Sequence, residues 1–468
     1  MQNPTSARPR RIERHTIFPI PLDERHGKAR QLFSLWFGAN LNVLTIVTGA
    51  LATTVFGQSF VAGALAIVLG NLIGTLFMAL HAAQGPRLGV PQMVQSRGQF
   101  GARGAAGVVT LVIFMYVGYG ATALVTGGQS LHAIVPAVGV REGIAIVGVV
   151  SLAMAVYGHD LIHAATRAIA YISGAAVVLC YVALVLVGRM PHDYLTRGSF
   201  SVVGFLGMMS IGVFWQLGYA PYVSDYSRYL PPDTGPRQAF WASYWGTTLG
   251  AVLPMIFGAL IGPSVIGGDV VAAISALTGA ASTPIVVLFT PGVAVAGAIC
   301  IYGGTLAVIT LGQTFIPDWH ASWRTRAPIA TVLCLIAVAL GTVGAASFLP
   351  LYSRFTELLL YLMIPWTAVN LVDYYWVRFG DYHVPSFFAA DGGVYGRYNI
   401  AALVCYALGI VVQVPFIAAD IYVGPLARML GSVDLSWLVG LVVTATVYYI
   451  SAPRHAVPVI VADAPSVE

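Results

Sequence analysis

The sequence predicts an all-α polytopic membrane protein with about twelve transmembrane helices. Hydrophobic residues make up 58% of the 468-residue chain and charged residues only 9%, and the mean hydropathy is +0.81. A water-facing globule needs far more polar surface than this composition supplies. The third observation is the arrangement of the apolar residues, which recur in runs of about 20, long enough to cross a bilayer as a helix.

The predicted spans are separated by short connections. They lie near residues 33–54, 60–82, 105–134, 143–158, 165–188, 201–224, 240–265, 284–315, 327–347, 353–377, 398–419 and 433–452. The first 30 residues carry charges and no apolar run. We therefore expect no cleavable signal peptide, and the first span itself must direct insertion.

Two of these spans are interrupted. In the first, the segment 38–42 contains two amides, Asn40 and Asn42, at a depth where hydrocarbon should surround the helix. In the sixth, about 175 residues later, the apolar pattern loses its regularity from Trp215 to Pro221. Backbone freed from helical bonding is tolerated there only where protein or a cavity satisfies it. Paired interruptions of this kind point to discontinuous helices around a midplane binding site, so we expect the substrate at these breaks.

Basic residues are distributed unevenly over the predicted loops. Of the 23 Lys and Arg residues, all but five lie on the side that also holds the N-terminal tail and Arg454; the exceptions are Arg141, Arg189, Arg197, Arg354 and Arg428. Because basic residues accumulate in cytoplasmic loops, we expect both termini in the cytoplasm and a multi-pass protein of the plasma (inner) membrane. The dispersed charge indicates no nucleic-acid partner.

Patterns typical of ATP hydrolysis or of catalysis are missing from the sequence. It contains no phosphate-cradling Gly-rich loop with a Lys, no metalloprotease helix motif and no Ser nucleophile elbow. His159 and His163 lie four residues apart, in the predicted loop before span five, without a third metal ligand. We therefore expect neither an enzyme nor a bound cofactor or metal.

Three stretches of sequence carry a resemblance to a known family. They are the loop after span two, with Gly85, Pro86, Arg87, Gly89, Arg97 and Phe100; the segment Ala220, Pro221, Tyr222, Asp225, Tyr226, Arg228 and Tyr229; and a later series from Pro365 and Trp366 through Asp373, Arg378 and Tyr382 to Asp391, Gly392 and Asn399. Together they resemble the nucleobase:cation symporter family, the purine and cytosine permeases with their allantoin and hydantoin relatives.

The resemblance implies the fold of the bacterial leucine transporter, with two inverted five-helix repeats in which spans one and six are broken. It divides the chain into a cytoplasmic tail (1–30), a first repeat with helices 1–5 (31–190), a second repeat with helices 6–10 (198–377), a cytoplasmic loop (378–397), helices 11–12 (398–452) and a second cytoplasmic tail (453–468).

The resemblance also implies where a planar heterocycle is held. Such a ring is best bound between aromatic platforms, with hydrogen-bonding groups around its edge. In relatives one aromatic lies on helix three and one on helix six. These positions correspond to Tyr119 and Trp215 in this chain, with Gln216 beside the second as an edge binder.

The chain departs from the family where edge-reading amides are usual. Ala123 stands at the helix-three position, and Gly297 and Cys300 stand at two helix-eight positions before Tyr302. A site built for hydrogen bonds discriminates strongly, so this difference implies another or a less polar substrate. We expect compensation from Asn40, Asn42, Thr122, Gln216 and Tyr302, with Cys300 in the site.

The coupling ion is expected to be H⁺ rather than Na⁺. In the sodium-coupled hydantoin relative, helix-one carbonyls and helix-eight hydroxyls hold the ion; here these are the carbonyls of about Asn40 and Val43, but Ala294 and Val295 supply no hydroxyl. Sodium is a hard cation that requires oxygen ligands. Glu357 is the acidic residue best placed within the membrane to carry a proton.

The expected function is import of a nucleobase-like heterocycle by a monomeric secondary transporter working by alternating access. Two interpretations of Arg97 and Asp225 stay open: they are structural anchors at helix ends, or they are members of a cytoplasmic gate. Two alternatives to a nucleobase substrate remain open: an allantoin-type or hydantoin-type permease, and an amino-acid transporter of the same fold.

Overall fold

Long apolar helices form almost all of the computed structural model, which describes residues 15–187, 195, 198–265, 270–319 and 321–453. Residues 1–14 and 454–468 of the predicted tails lie outside the described residues. So does most of the segment between the predicted repeats. The first half of the chain forms α1 (Ala29–Asn40), α2 (Val43–Thr54), α3 (Phe60–Ala82), α4 (Gly85–Leu88), α5 (Gln92–Phe100), α6 (Ala105–Ile134), α7 (Val140–Tyr157), α8 (His159–Val187), α9 (Val202–Leu217) and α10 (Val223–Ser227).

The second half continues in the same manner. It forms α11 (Pro236–Ile261), α12 (Val270–Thr278), α13 (Ser282–Phe315), α14 (Trp323–Gly344), α15 (Phe348–Val372), α16 (Ile400–Gln413), α17 (Pro425–Met429) and α18 (Ser436–Ser451). Two short antiparallel strands, β1 (Ala418–Ala419) and β2 (Tyr422–Val423), lie between α16 and α17, with Ala418 paired to Val423.

Several helices begin where a side chain accepts a bond from the first turn. Ser59 caps α3 by accepting from the amide of Ala62 at 3.4 Å. Asn399 caps α16 by accepting from Ala402 N at 3.3 Å. Such caps satisfy amides that have no intrahelical partner. In a membrane protein they fix where each apolar run becomes helical.

The count of spans follows from helix length. Within the described residues, eight helical segments are long and apolar enough to cross a membrane, nine when the bent pair α1 and α2 counts as one span. One segment, Arg324–Val377, has 54 residues and would be roughly 80 Å long, so α14 and α15 are separate spans. With the shorter apolar helices α16 and α18, the total is twelve, as predicted.

The helices pack in three sets. The pair α1 and α2 packs with α11, and α3 packs with both α9 and α11. The second set contains α6, α7, α13 and α14, and in the third α15 packs with α16 and α18. Close crossings use glycine: a Cβ added to Gly49 would lie 2.0 Å from the carbonyl oxygen of Met255, and one added to Gly258 would lie 2.0 Å from that of Ile46. Small residues bring membrane helices together in this way.

The predicted interruptions are present, at slightly different places. The first span bends by 62° between α1 and α2, so the break is Leu41 and Asn42, while Gly38 to Asn40 remain helical. In the sixth span, α9 continues through Leu217, and the irregular part runs from Gly218 to Tyr222. The expected irregularity at Trp215 and Gln216 is therefore wrong, because both residues complete the last turn of α9.

Span five begins earlier than predicted. Helix α8 starts at His159, which places His159 and His163 in its first two turns rather than in a loop. The polar residues in the first turns of α8 lower the local hydropathy, so the hydropathy pattern placed the start of the span too late. The predicted boundaries of the inverted repeats stay a prediction.

Candidate functional site

A small cavity lies where the two interrupted spans meet, bounded by α6 and α13 on the other side. Its volume is about 50 Å³, well below the roughly 300–1,000 Å³ of a drug-sized ligand pocket. The break of span one contributes Ala39, Asn42 and Leu44; span six contributes Trp215, Gly218, Tyr219 and Tyr222; α6 contributes Tyr119 and Ala123; α13 contributes Ala296, Ile299 and Cys300. None of these lining residues of the described chain is charged.

Asn40 connects the two breaks from behind the cavity wall. Its Oδ1 accepts from the indole Nε1 of Trp215 at 2.7 Å and from the hydroxyl of Tyr219 at 3.0 Å. Its Nδ2 donates to the Trp36 carbonyl at 2.7 Å and to Thr247 Oγ1 at 3.1 Å. All four hydrogen-bonding positions of the amide are therefore occupied. Asn40 orients the aromatic rings of span six.

Asn42 lines the cavity and also begins α2. Its Oδ1 accepts from Thr45 N at 3.3 Å, and its Nδ2 donates to the Ala39 carbonyl at 2.9 Å. An asparagine cap satisfies a first-turn amide that the bend leaves without a helical partner. The same residue therefore terminates the break and presents an amide to the cavity.

Gln216 points away from the cavity, towards α3 and α11. Its Nε2 donates to Asn71 Oδ1 at 2.7 Å, and its Oε1 accepts from Thr247 Oγ1 at 2.6 Å. Both residues are fully buried. Because consecutive helical residues face directions about 100° apart, Trp215 faces the cavity while Gln216 joins helices behind it.

Two other residues expected at the site also lie outside the cavity lining. Thr122 donates its hydroxyl to the carbonyl of Gly118 at 2.8 Å, one turn back along α6. Tyr302 is 1% exposed and its ring lies 5.9 Å from that of Tyr226, towards the end of the bundle where α1 begins. The structure thus brings Tyr119, Trp215, Asn42 and Cys300 together at the cavity.

Sequence reasoning missed the two other polar residues of the lining, Tyr219 and Tyr222. Their rings are 5.6 Å apart, and both lie in the irregular part of span six. The signal was a series of tyrosines at 219, 222 and 226, a spacing that keeps side chains on one side of a helical segment. This series of tyrosines lies at the break in span six, where the substrate was already expected.

Helix α15 closes the cavity on the side away from the start of α1. Tyr352 OH and Thr48 Oγ1 lie 3.0 Å apart, which joins α15 to α2, the second helix of the broken span. The Phe355 ring lies 5.4 Å from that of Tyr119, edge to face. Tyr352 is 2% exposed. These contacts hold the cavity shut on that side.

An aromatic layer closes the cavity on the side where α1 begins. Trp36 is fully buried, and its ring lies 5.5 Å from Tyr219, 6.1 Å from Tyr222 and 5.7 Å from Tyr226. We call Trp36, Tyr222 and Tyr226 the aromatic layer. The layer separates the cavity, which Tyr222 lines, from a larger space lined by Tyr226.

That larger space is a vestibule of about 530 Å³. It lies between the starts of α1 and α8 and the end of span six, and its wall includes His26, His159, His163, Arg167 and Tyr229. The His159 ring lies 3.8 Å from that of Tyr229 and 4.2 Å from that of His163. The His159–Tyr229 contact thus holds the start of α8 against the end of span six.

The residues predicted to gate or couple lie outside the cavity. Asp225 accepts from Gln92 N at 2.9 Å, at the N-terminus of α5, where the helix dipole favours a carboxylate. Arg97 donates to Thr310 O at 2.6 Å, and burial lowers its pKa to about 10. Glu357 accepts from Ser353 at 3.2 Å within α15. All three contacts join or stabilise helices.

The carbonyls expected to face a cation have other partners. Asn40 O accepts from Asn42 N at 3.0 Å and from Thr45 Oγ1 at 2.5 Å, and Val43 is the first residue of α2. Helix α13 meets the break at Gly292, where an added Cβ would lie 2.5 Å from the Leu41 carbonyl oxygen. The oxygen that faces α13 is therefore that of Leu41.

Comparison with known families identifies the architecture. Residues 19–440 match a family described as permease for cytosine/purines, uracil, thiamine, allantoin. The chain belongs to this permease family. YxlA of Bacillus subtilis (strain 168), which carries the name of a purine-cytosine permease, is 37% identical over 442 residues, covering 94% of this chain and 96% of that protein. The purine-cytosine permease fcyB of Emericella nidulans is 23% identical over 475 residues, covering 94% and 88%.

A solved structure confirms the fold of the permease. Mhp1, a nucleobase-cation-symport-1 family transporter solved in a closed conformation with bromovinylhydantoin bound, superimposes with a TM-score of 0.73 at 17% identity, covering 93% of this chain and 94% of that one. The chain is thus a multi-pass membrane transporter rather than an enzyme, as expected from its sequence. The predicted family resemblance is confirmed as well.

Proposed function

We propose that the permease is a cation-coupled symporter that imports a nucleobase or a related heterocycle, such as cytosine or a purine, by alternating access. The observation that carries this proposal is the uncharged cavity between two interrupted spans, which the rings of Tyr119 and Trp215 reach from α6 and α9. A planar heterocycle presents two π faces to such rings. The family description and the names of its relatives refer to the same class of compound.

An allantoin-type or hydantoin-type substrate is the second candidate. The family description includes allantoin, and bromovinylhydantoin is bound in Mhp1. An amino-acid substrate has less support, because its carboxylate needs a cationic or amide-rich partner. Among the described residues that line the cavity there is no Lys or Arg, and Thr45 N, at the start of α2, already donates to Asn42.

The two closures of the cavity supply the elements for alternating access. On one side α15 is held to α2 through Tyr352 and Thr48. On the other side the aromatic layer separates the cavity from the vestibule. Opening at α15 would admit substrate, and separation of Trp36 from Tyr222 and Tyr226 would release it into the vestibule. Each movement requires only the parting of side chains that belong to different spans.

We favour H⁺ as the coupling ion over Na⁺. A sodium site needs several oxygen ligands. Near the break, Ala294 and Val295 of α13 carry no hydroxyl, and the Ala294 carbonyl accepts from Ser151 Oγ at 2.9 Å. The carbonyl of Asn40 already has two donors. Of the oxygens expected to hold sodium, the described residues thus offer Leu41 O at the break but no α13 hydroxyl at 294 or 295, and Glu357 is our candidate for the proton-carrying group.

The uneven distribution of Lys and Arg supports an orientation with both termini in the cytoplasm of the plasma (inner) membrane. In that orientation the vestibule opens to the cytoplasm and the Tyr352 contact faces outward. We also propose that the monomer is the functional unit, because the two interrupted spans of a single chain meet at the cavity.

The deciding experiment is uptake into proteoliposomes of radiolabelled cytosine, adenine, guanine, hypoxanthine, uracil, allantoin and hydantoins under imposed H⁺ or Na⁺ gradients. We expect saturable uptake of at least one nucleobase, driven by an inward H⁺ gradient. Absence of saturable uptake for every compound would overturn the proposed function. Uptake driven by Na⁺ alone would overturn only the choice of ion, and uptake restricted to allantoin or hydantoins would favour the second candidate.

A further inference from the structure

One face of α8 forms a wall of the vestibule. Side chains that line this space recur on α8 at intervals of four residues: His159, His163, Arg167 and Tyr171. We call these four residues the α8 row. Residues four apart lie one above another on a helix, so the row extends about 18 Å along α8. Ala164 and Ala168 line the vestibule beside the row, and their small methyl groups leave room for a bound molecule.

The α8 row carries a cation that the protein itself does not neutralise. Arg167 is exposed, and it forms no hydrogen bond or ion pair with any other part of the chain that the structure describes. Asp160 is the one carboxylate among the described residues of the lining, and it accepts from His159 Nδ1 at 3.2 Å. Arg167 is therefore available to an anion that enters the vestibule.

Two imidazoles of the lining add nitrogen atoms with hydrogen-bonding capacity left. His163 Nε2 is buried and has no hydrogen-bond partner among the described residues, which is costly for a polar group. His26, in the segment before α1, donates from Nδ1 to the Glu24 carbonyl at 2.9 Å, which leaves Nε2 for a ligand. Arg167 and His26 both lie close enough to His163 to interact with it electrostatically. Nitrogen groups from two separate elements are thus gathered in one part of the vestibule.

The vestibule has the size and the aromatic rings for a ligand larger than a bare ion. Its volume of about 530 Å³ lies within the roughly 300–1,000 Å³ of small-molecule pockets. Tyr171 is 77% exposed, so its ring is open to a ligand. Tyr226 and Tyr229 line another wall, at the end of span six. Because planar rings stack on such side chains, the vestibule matches a molecule that combines a planar ring with an anionic group.

A phosphate ester supplies the anionic group that suits these nitrogens. A phosphate monoester carries a charge of about −1.5 to −2 near pH 7, and an arginine guanidinium pairs with it through strong, charge-assisted hydrogen bonds. A neutral base would leave Arg167 without a partner. An anionic lipid headgroup offers the same phosphate but no planar ring for the tyrosines. A nucleoside monophosphate offers both.

We propose that the vestibule is a binding site for a nucleoside monophosphate, with the phosphate at Arg167, His163 and His26 and the base against the tyrosines. The bound nucleotide lies against Tyr226, which also belongs to the aromatic layer. It therefore holds that layer closed and slows the release of substrate from the central cavity. This consequence rests on the function and orientation proposed above, in which the vestibule is the cytoplasmic exit, whereas the binding itself does not.

Binding is tested on the purified full-length protein by isothermal titration calorimetry. The probes are adenosine monophosphate and cytidine monophosphate, compared with adenosine, cytidine and inorganic phosphate. We expect at least one nucleotide to bind about tenfold or more tightly than its nucleoside and than phosphate, because ring and phosphate contacts reinforce each other. Nucleotides that bind no better than phosphate, or do not bind, would overturn the proposal. Loss of nucleotide binding in nanodiscs that contain phosphatidylglycerol would assign the site to a lipid headgroup instead.

A substitution locates the phosphate. Arg167→Gln keeps a polar side chain but removes the charge, so the affinity for adenosine monophosphate should fall about tenfold or more. The melting temperature and the affinity for the transported base should stay at their wild-type values, because Arg167 has no partner among the described residues and lies outside the lining of the central cavity.

Arg237→Gln is the matched control for the loss of an exposed arginine. Arg237 is exposed at the start of α11 and lies outside the vestibule lining, so nucleotide affinity should not change. Equal losses of affinity in the two variants would overturn the assignment of the phosphate to Arg167. Wild-type nucleotide affinity in Arg167→Gln would do the same.

The effect on transport is tested in proteoliposomes sorted so that the cytoplasmic face lies inside. Adenosine monophosphate enclosed in the lumen should slow uptake of the transported base several-fold, and the same concentration outside should not. Arg167→Gln should abolish this inhibition. Inhibition from the outside alone, or no inhibition by a nucleotide that binds, would overturn the proposed effect on release. If no compound is taken up, the proposed function fails, while the calorimetry still decides whether the nucleotide site exists.

Discussion

The indole N–H of Trp215 donates to the side-chain oxygen of Asn40 over 2.7 Å, which ties the last turn of α9 to the last residue of α1. The bond crosses between the two interrupted spans. It holds one wall of the cavity in place, since Trp215 lines that cavity and Asn40 does not. Substrate affinity should therefore depend on a residue that has no need to touch the substrate.

Asn40→Asp tests this dependence. The variant keeps an acceptor for Trp215 and Tyr219 but loses the two N–H donors to the Trp36 carbonyl and to Thr247. We expect substrate affinity to fall at least tenfold and the melting temperature to drop, because a buried carboxylate then faces a carbonyl oxygen. Binding to purified protein and thermal unfolding measure the two effects. Wild-type affinity in this variant would mean that the bonds from Asn40 to the Trp36 carbonyl and to Thr247 do not set the cavity wall.

Gln216 should behave in the opposite way. Gln216→Leu removes the partners of Asn71 Oδ1 and Thr247 Oγ1 in a fully buried place, which costs about 1–3 kcal/mol for each group left unsatisfied. Stability should fall while the dissociation constant of the folded fraction stays within about threefold of wild type. Loss of binding at unchanged stability would show that Gln216 contacts substrate after all. Trp215→Ala is the comparison, with lost binding as the expected result.

The membrane class, the twelve spans and the presence of both breaks could be predicted from the sequence, because each of these features alters the local composition of the chain. The directions in which neighbouring side chains point could not be predicted. Trp215 and Gln216 are adjacent, yet one reaches the cavity and the other reaches Asn71, which is 145 positions away in sequence. Only the packing of α9 against α3 decides between them, and the apolar pattern does not record it.

The same limit explains why Tyr219 and Tyr222 were missed. A tyrosine in an apolar span is compatible with packing, with a lipid-facing position or with a site. Their exposure to a cavity depends on the irregular turn after Leu217, whose geometry the sequence does not specify. The four free cysteines, by contrast, all lie in long apolar stretches that the sequence itself displays. One of them, Cys300, lines the cavity and reports on its access.

The contact between Tyr352 and Thr48 should restrain opening at α15. Tyr352→Phe removes a single hydrogen bond, worth about 0.5–1.5 kcal/mol, and should shift the population towards the open form by up to about tenfold. In a background where Cys180, Cys334 and Cys405 are replaced by Ala, the rate at which an impermeant thiol reagent labels Cys300 from the α15 side should rise. Thr342→Val is a control that also deletes a hydroxyl, one bonded within α14. An unchanged labelling rate in Tyr352→Phe would show that this contact does not restrain the closure at α15.

Glycine at the crossing of α2 and α11 should be indispensable. Gly49→Ala places a Cβ within 2.0 Å of the Met255 carbonyl, so the helices must separate, at a cost of about 1–3 kcal/mol. Gly107→Ala is the matched control in α6, since an added Cβ there meets nothing within 4 Å and alanine favours a helix. We expect a lower melting temperature for Gly49→Ala and an equal or higher one for Gly107→Ala. Equal melting temperatures would mean that the crossing adjusts freely.

The aromatic layer should control access from the vestibule. Trp36 contacts both other members of the layer, so Trp36→Ala joins the cavity to the vestibule without touching the contact at α15. In the single-cysteine background described above, labelling of Cys300 from the vestibule side should accelerate several-fold, while labelling from the α15 side stays at the wild-type rate. Tyr171→Ala, which widens the vestibule without changing the layer, is the control. If Trp36→Ala and Tyr171→Ala accelerate Cys300 labelling equally, the barrier lies in the vestibule and not in the aromatic layer. If Trp36→Ala accelerates labelling from both sides, the layer and α15 open together.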